Sequence, residues 1–98
     1  MSGVFRALAD PTRRRVLALL REQPMSAGEL ADQFDVSKPT MSAHFNVLRE
    51  AGLIDATKNG KSIIYRLRMS VLEEALMSLA ETVGLDLGAA ASQGKEQA

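Results

Sequence analysis

A chain of 98 residues with no cysteine has room for one domain, and the missing thiols exclude disulfide staples, thiolate catalysis and thiolate metal sites together. No apolar run approaches the ~20 residues that span a bilayer and no export signal is visible, so a cytoplasmic protein is expected. Net charge is zero, yet residues 1–68 hold eleven Lys/Arg against seven Asp/Glu while residues 69–98 hold one against five, so a basic front is joined to an acidic end.

Val4, Phe5 and Leu8 form an apolar stripe that predicts a brief first helix. Asp10-Pro11 supplies an N-cap and a first-position proline, so Asp10 to Glu22 reads as a second helix with Val16, Leu17, Leu19 and Leu20 inward. Arg13, Arg14 and Arg15 open that helix, against the preference of its dipole for acidic residues there. Phosphate contact and solvation are the two outlets for these charges. Pro24 closes the helix and Met25 can form a short strand. Ser26 and Glu29 then make an S-x-x-E capping box before a short third helix with Leu30, Ala31 and Phe34 on its buried face. After the tight link Asp35-Val36, Ser37 caps a fourth helix that tolerates Pro39 in its first turn. A short helix, a tight turn and a longer helix make a helix-turn-helix unit.

In the fourth helix Met41, Phe45, Leu48 and Gly52 define an inward stripe, with Gly52 also the expected C-terminal cap. The other side carries Lys38, Thr40, Ser42, Ala43, Asn46 and Val47, mostly small side chains that let the helix approach a groove wall closely. Leu53 to Thr57 and Ser62 to Arg68 read as strands turning around Asn59-Gly60, where both residues tolerate positive φ, with Lys58 and Lys61 beside the tip. From Ser70 the helical period returns, and Val71, Leu72, Ala75, Leu76, Leu79 and Val83 make a wide apolar stripe on a last helix ending near Gly84. Nothing downstream can cover that stripe. The two terminal helices are therefore expected to pack together and against a second copy, making Val4, Phe5, Leu8, Leu72, Leu76, Leu79 and Val83 the candidate homodimer interface. Residues 85–98, rich in Ala, Gly, Ser and Gln, are expected to form a disordered tail behind a domain of residues 1–84.

The expected fold is mostly α with a small β-hairpin, a winged helix-turn-helix. In such a fold the N-terminal turns of the second helix of the motif read base edges in the major groove, while amides and basic side chains hold phosphates. The candidate recognition-helix contacts are Ser37, Lys38, Pro39, Thr40, Ser42, Ala43, His44 and Asn46. Lys58, Asn59, Gly60 and Lys61 form the candidate wing, and Arg13 and Arg14 are candidate phosphate contacts. The plainer alternatives are an ordinary capped surface helix with a solvated turn, or a winged-helix module that binds another protein. His44 is the single histidine, which cannot by itself supply the three or four ligands of a zinc site, so no metal and no cofactor are expected. Met41 and Met77 fit core or interface positions. The chain has no cysteine nucleophile, no P-loop and no glycine-rich fingerprint after a strand, and an enzyme is not expected.

Four linked segments carry a family resemblance: Ala9-Asp-Pro-Thr-Arg-Arg-Arg-Val-Leu17, Val36-Ser-Lys-Pro-Thr-Met-Ser-Ala-His-Phe45, Val47-Leu-Arg-Glu-Ala-Gly-Leu53 and Gly60-Lys-Ser-Ile-Ile-Tyr-Arg-Leu67. Over about residues 4 to 84 the chain resembles the ArsR/SmtB family of dimeric winged-helix transcriptional repressors. The resemblance implies that Ser37 to Ala51 is the recognition helix, the hairpin a wing, and the first and last helices the dimer contact. Sensing members carry paired cysteines at positions matching Ser26 and Gly28, or histidine and carboxylate ligands in the last helix, and neither set is present. Ala43 stands where Arg or His is frequent in the family. The resemblance is thus to the metal-independent branch of autorepressors.

Overall fold

A computed structural model of the chain describes residues 2–87, so the greater part of the expected tail lies outside the described residues. Its elements are α1 (Ser2–Leu8), α2 (Pro11–Glu22), β1 (Met25–Ser26), α3 (Ala27–Ala31), α4 (Lys38–Glu50), β2 (Ile54–Asn59), β3 (Ser62–Leu67) and α5 (Met69–Val83). The order is the one the sequence predicts, and side-chain caps explain where α2, α3 and α4 begin. Asp10 sits in extended backbone and its Oδ2 accepts the Arg13 amide at 3.0 Å. At α3 both arms of the capping box are closed, Glu29 N–H to Ser26 Oγ at 3.0 Å and Ser26 N–H to Glu29 Oε1 at 2.9 Å. At α4 the Ser37 hydroxyl accepts the Thr40 amide at 3.4 Å and donates to Thr40 Oγ1 at 2.9 Å.

Each periodic stripe meets the others in one core. Val16, Leu17 and Leu20 of α2, Leu30 of α3, and Met41, Phe45 and Leu48 of α4 pack with Leu53, Ile54 and Tyr65. The Phe45 and Tyr65 rings lie 4.9 Å apart between centroids, tilted by 39°, which pins the sheet onto the middle of α4. The sheet is antiparallel with strand order β1-β3-β2, and Met25↔Tyr65 and Ser26↔Ile64 tie the start of α3 to β3. An isolated two-stranded hairpin is marginal in water, so the two residues of β1 matter beyond their length. Gly52, at φ 78, ends α4 with its own amide on Arg49 O and the Leu53 amide on Leu48 O.

Two expectations need correction. The turn was placed around Asn59-Gly60, but Asn59 pairs with Ser62, leaving Gly60-Lys61 as the two central residues with only Gly60 at positive φ, 63°. Glycine at the first central position is the signature of a type II′ turn. The expected register would set Lys58 opposite Lys61, whereas the observed one pairs Lys58 with Ile63 and keeps the two like charges from facing each other directly. Second, α1 packs chiefly on α2 and α4 rather than on α5, and Val4, only 5% exposed, is consumed by the protomer's own core instead of lying free at an interface. On α5 the small side chains Ala75 and Ala80 are buried, while Leu76, Leu79 and Val83 stay 39%, 44% and 67% exposed. The helix ends as expected at Gly84, with the Leu85 amide closing on Ala80 O at 2.7 Å.

Candidate nucleic-acid interface

The core face of α4 fixes what its other faces present. With Met41, Phe45 and Leu48 buried, Pro39, Ala43, Asn46 and Glu50 occupy the opposite side by helical geometry, and all four are exposed. Lys38, Ser42 and Arg49 run along one flank, also exposed; Thr40 lies on the other with the half-buried His44 and Val47. Val47, expected outward, packs against the core instead. The outward face is thus narrow and made of small side chains, with cations at one edge.

Beside that flank α4 and the root of the hairpin enclose an open concavity of ≈ 440 Å³ lined by Asn46, Arg49, Glu50, Ile54, Asp55 and Ala56. Arg49 was not among the expected contacts, although its spacing of i+7 from Ser42 and i+11 from Lys38 placed it on the same flank. Farther out, Lys58, Asn59, Gly60 and Lys61 are all exposed, and Lys61 borders the first turn of α3 across a second hollow with Ser26 and Gly28. The α4 flank thus meets the hairpin root at the first hollow, and the hairpin tip meets the start of α3 at the second.

The arginines at the head of α2 have a partner that neither expected outlet anticipated. Arg13 donates from Nε to Ala7 O at 2.8 Å and from Nη2 to Arg6 O at 2.9 Å, and Arg14 donates from Nη1 to Leu8 O at 2.8 Å. Together they satisfy the last carbonyls of α1, the negative end of that helix, which offsets the unfavourable placement of cations at the head of α2. Arg13 is half-buried in this duty, whereas Arg14 remains exposed. Arg15 lies over the Phe34 ring, 5.7 Å from its centroid.

His44 also departs from the expected groove position. Its side chain is 15% exposed and its Nδ1 lies 3.2 Å from Arg13 Nη1 and 3.9 Å from Asp10 Oδ2, inside the α2–α4 contact. The Arg13 amide, aided by the Arg13 charge, holds the Asp10 carboxyl below the ordinary carboxylate range against the opposing effect of burial. Burial pushes the Tyr65 hydroxyl up, with the Arg49 charge pulling the other way. Among the described residues no cluster of three or more His, Asp or Glu side chains is placed to hold a metal ion, and no helix is long and apolar enough to cross a membrane.

Known proteins share this arrangement. Residues 8–56 match the helix-turn-helix domain family. The chain is 42% identical over 76 residues to the transcriptional repressor SdpR of Bacillus subtilis, covering 78% of this chain and 84% of that protein. It is 37% identical over 79 residues to the biofilm growth-associated repressor of Agrobacterium fabrum, covering 78% and 68%. A solved ArsR family transcriptional regulator superposes with a TM-score of 0.77 at 35% identity, covering 85% of this chain and 86% of that one. An ArsR-like transcriptional regulator from Rhodococcus sp. RHA1 superposes at 0.74 with 31% identity, covering 99% and 91%. On these matches, this chain belongs to the ArsR/SmtB family of winged helix-turn-helix transcriptional repressors, DNA-binding regulators rather than enzymes.

Proposed function

We propose that the chain represses transcription as a homodimer on a pseudo-palindromic operator, with two copies of α4 in successive major grooves about one helical turn, ~34 Å, apart. The observation that carries this reading is the narrow, exposed face of α4 beside a cationic flank and a lysine-flanked wing. Ser42, Ala43 and Asn46 enter the groove, where Asn46 suits adenine and Ala43 can touch only a thymine methyl. Ser37, Lys38, Pro39 and Thr40 meet the groove edge and backbone, and Lys58, Asn59, Gly60 and Lys61 meet backbone or minor groove. Arg14 remains a candidate phosphate contact through the donors that α1 does not use. The dimer is supported by Met69, Leu72, Leu76, Leu79 and Val83, which recur at the a and d spacing of a heptad and leave a row of apolar side chains on the outside of α5. Without cysteine and with one histidine, the chain suits the metal-independent branch, in which repression is relieved by something other than a bound metal ion.

The test is binding of the chain to the DNA upstream of its own gene and to a scrambled duplex of equal length across ionic strengths. Specific binding is expected to exceed random binding by at least about a thousandfold at physiological salt. Equal binding of the two duplexes at every salt concentration overturns the proposal and selects a protein-binding module, the reading that Glu50 and Asp55 beside the groove face favour.

A further inference from the structure

The Arg13–His44 contact has chemistry that the repressor architecture does not require. An arginine cannot lose its proton in a protein, so at 3.2 Å Arg13 Nη1 must donate and His44 Nδ1 must accept. As a hydrogen bond this contact requires the neutral tautomer, with its proton on Nε2. Arg13 at the same time holds Arg6 O and Ala7 O at the end of α1, and its amide is bound to Asp10. One guanidinium thus joins the C-terminus of α1, the first turn of α2 and the middle of the recognition helix. His44 is the link on the α4 side, between Ala43 on the groove face and Phe45 in the core.

Protonation reverses the fit. A proton on Nδ1 would set two donors and two positive charges against each other across 3.2 Å, so it cannot enter without parting Arg13 from the ring. Among the described residues, the charged groups that meet the ring are Asp10 and Arg13, both from the head of α2, while α1 meets the cluster through its carbonyls. The oxygen best placed to receive an imidazolium is Asp10 Oδ2, 3.9 Å away, which already serves as the cap of α2. The exchange would pull on the cap and shift α4 along the flank that carries His44. A base-reading side chain must sit within about 0.5 Å of its productive position, so a small shift of Ala43 and Asn46 is enough to cost affinity.

We propose that His44 is a positioning residue for operator binding, holding α4 in its reading position through Arg13 when neutral and releasing it when protonated. This rests on α4 being the recognition helix. It also fixes an unusual sign: an added positive charge near DNA ordinarily strengthens binding, whereas here acid weakens it.

Two measurements on the whole chain test it. Operator affinity is compared between pH 7.5 and pH 5.5 at constant ionic strength for the native chain and for His44→Gln, which keeps a hydrogen-bonding side chain but does not titrate. Because His44 is the only histidine, its ring protons can also be followed by NMR without ambiguity, free and operator-bound. The native chain is expected to lose about fivefold or more in affinity at the lower pH, within the usual range for coupled sites, and His44→Gln to lose most of that dependence. By linkage, operator DNA must lower the pH at which the ring protonates. Affinity that rises or stays flat at pH 5.5, or a ring midpoint unmoved by DNA, overturns the inference while leaving the repressor reading intact. Absence of specific binding at both pH values overturns both. The NMR arm uses only the native chain, so a His44→Gln variant that fails to fold does not remove the test.

Discussion

At the residue scale, two of the helix caps do two things at once. Ser37 caps α4 and is a proposed groove-edge contact; Asp10 caps α2 and faces His44. Asp10→Ala is expected to cost about 1 kcal/mol of stability through the lost cap, seen as a lower urea midpoint at unchanged slope. Because the folded carboxyl is held below its ordinary value, that contribution is complete above about pH 4 and disappears as pH falls through the lowered value. The native chain should therefore lose stability more steeply than Asp10→Ala on acidification below about pH 4. Lys38 and Lys61 are exposed and make no ion pair among the described residues, so their cost on removal should fall on DNA and not on folding. Lys38→Ala and Lys61→Ala should each reduce the slope of log affinity against log salt by about 0.9 per lost phosphate contact, with thermal stability unchanged. The caps were legible because Asp-Pro, S-x-x-E and Ser-x-Pro are local patterns. The partners of Arg13 were not, because they lie six, seven and thirty-one residues away and no local periodicity points to them.

At the scale of elements, every helix and strand could be read from the sequence, and the errors lie in which face or register each one adopts. The hairpin shows why. Asn59-Gly60 is a strong local turn signal, but the cross-strand consequence of using it, Lys58 facing Lys61, appears only when both strands are considered together. The observed turn makes a specific demand on one residue. Gly60 is at φ 63 with open space where a side chain would be, so Gly60→Ala meets no clash and is opposed by backbone conformation alone. Left-handed backbone costs an L-residue roughly 1–2 kcal/mol, and that cost should appear as faster hydrogen exchange at Asn59 and Ser62 with little change at core amides. Operator affinity should fall with it, since the wing would lose its fixed shape while α4 keeps its own.

The whole molecule poses the question that a single chain answers least directly, namely what covers α5. Its apolar period was plain in the sequence, but periodicity alone could not say whether the leucines or the alanines turn inward. The small Ala75 and Ala80 let α5 lie close to the rest of the protomer, and this leaves Leu76, Leu79 and Val83 outside in a row continuous with the half-buried Leu72. Exposed leucines at heptad spacing beside an exposed Met69 are unfavourable in water for an isolated protomer, and a two-fold pairing of the same face buries them on both copies at once. Leu76→Glu and Leu79→Glu separate this role from the core, because neither side chain belongs to the buried cluster. Each should leave the protomer folded by circular dichroism while sedimentation shows a monomer. Operator affinity should then fall much further than it does for Lys38→Ala, because a lone protomer engages one half-site and loses the second, effectively intramolecular contact, worth about a hundredfold or more. A variant that remains dimeric, or a native chain that sediments as a monomer at micromolar concentration, would assign the row on α5 to a different partner and the two half-sites to a different assembly.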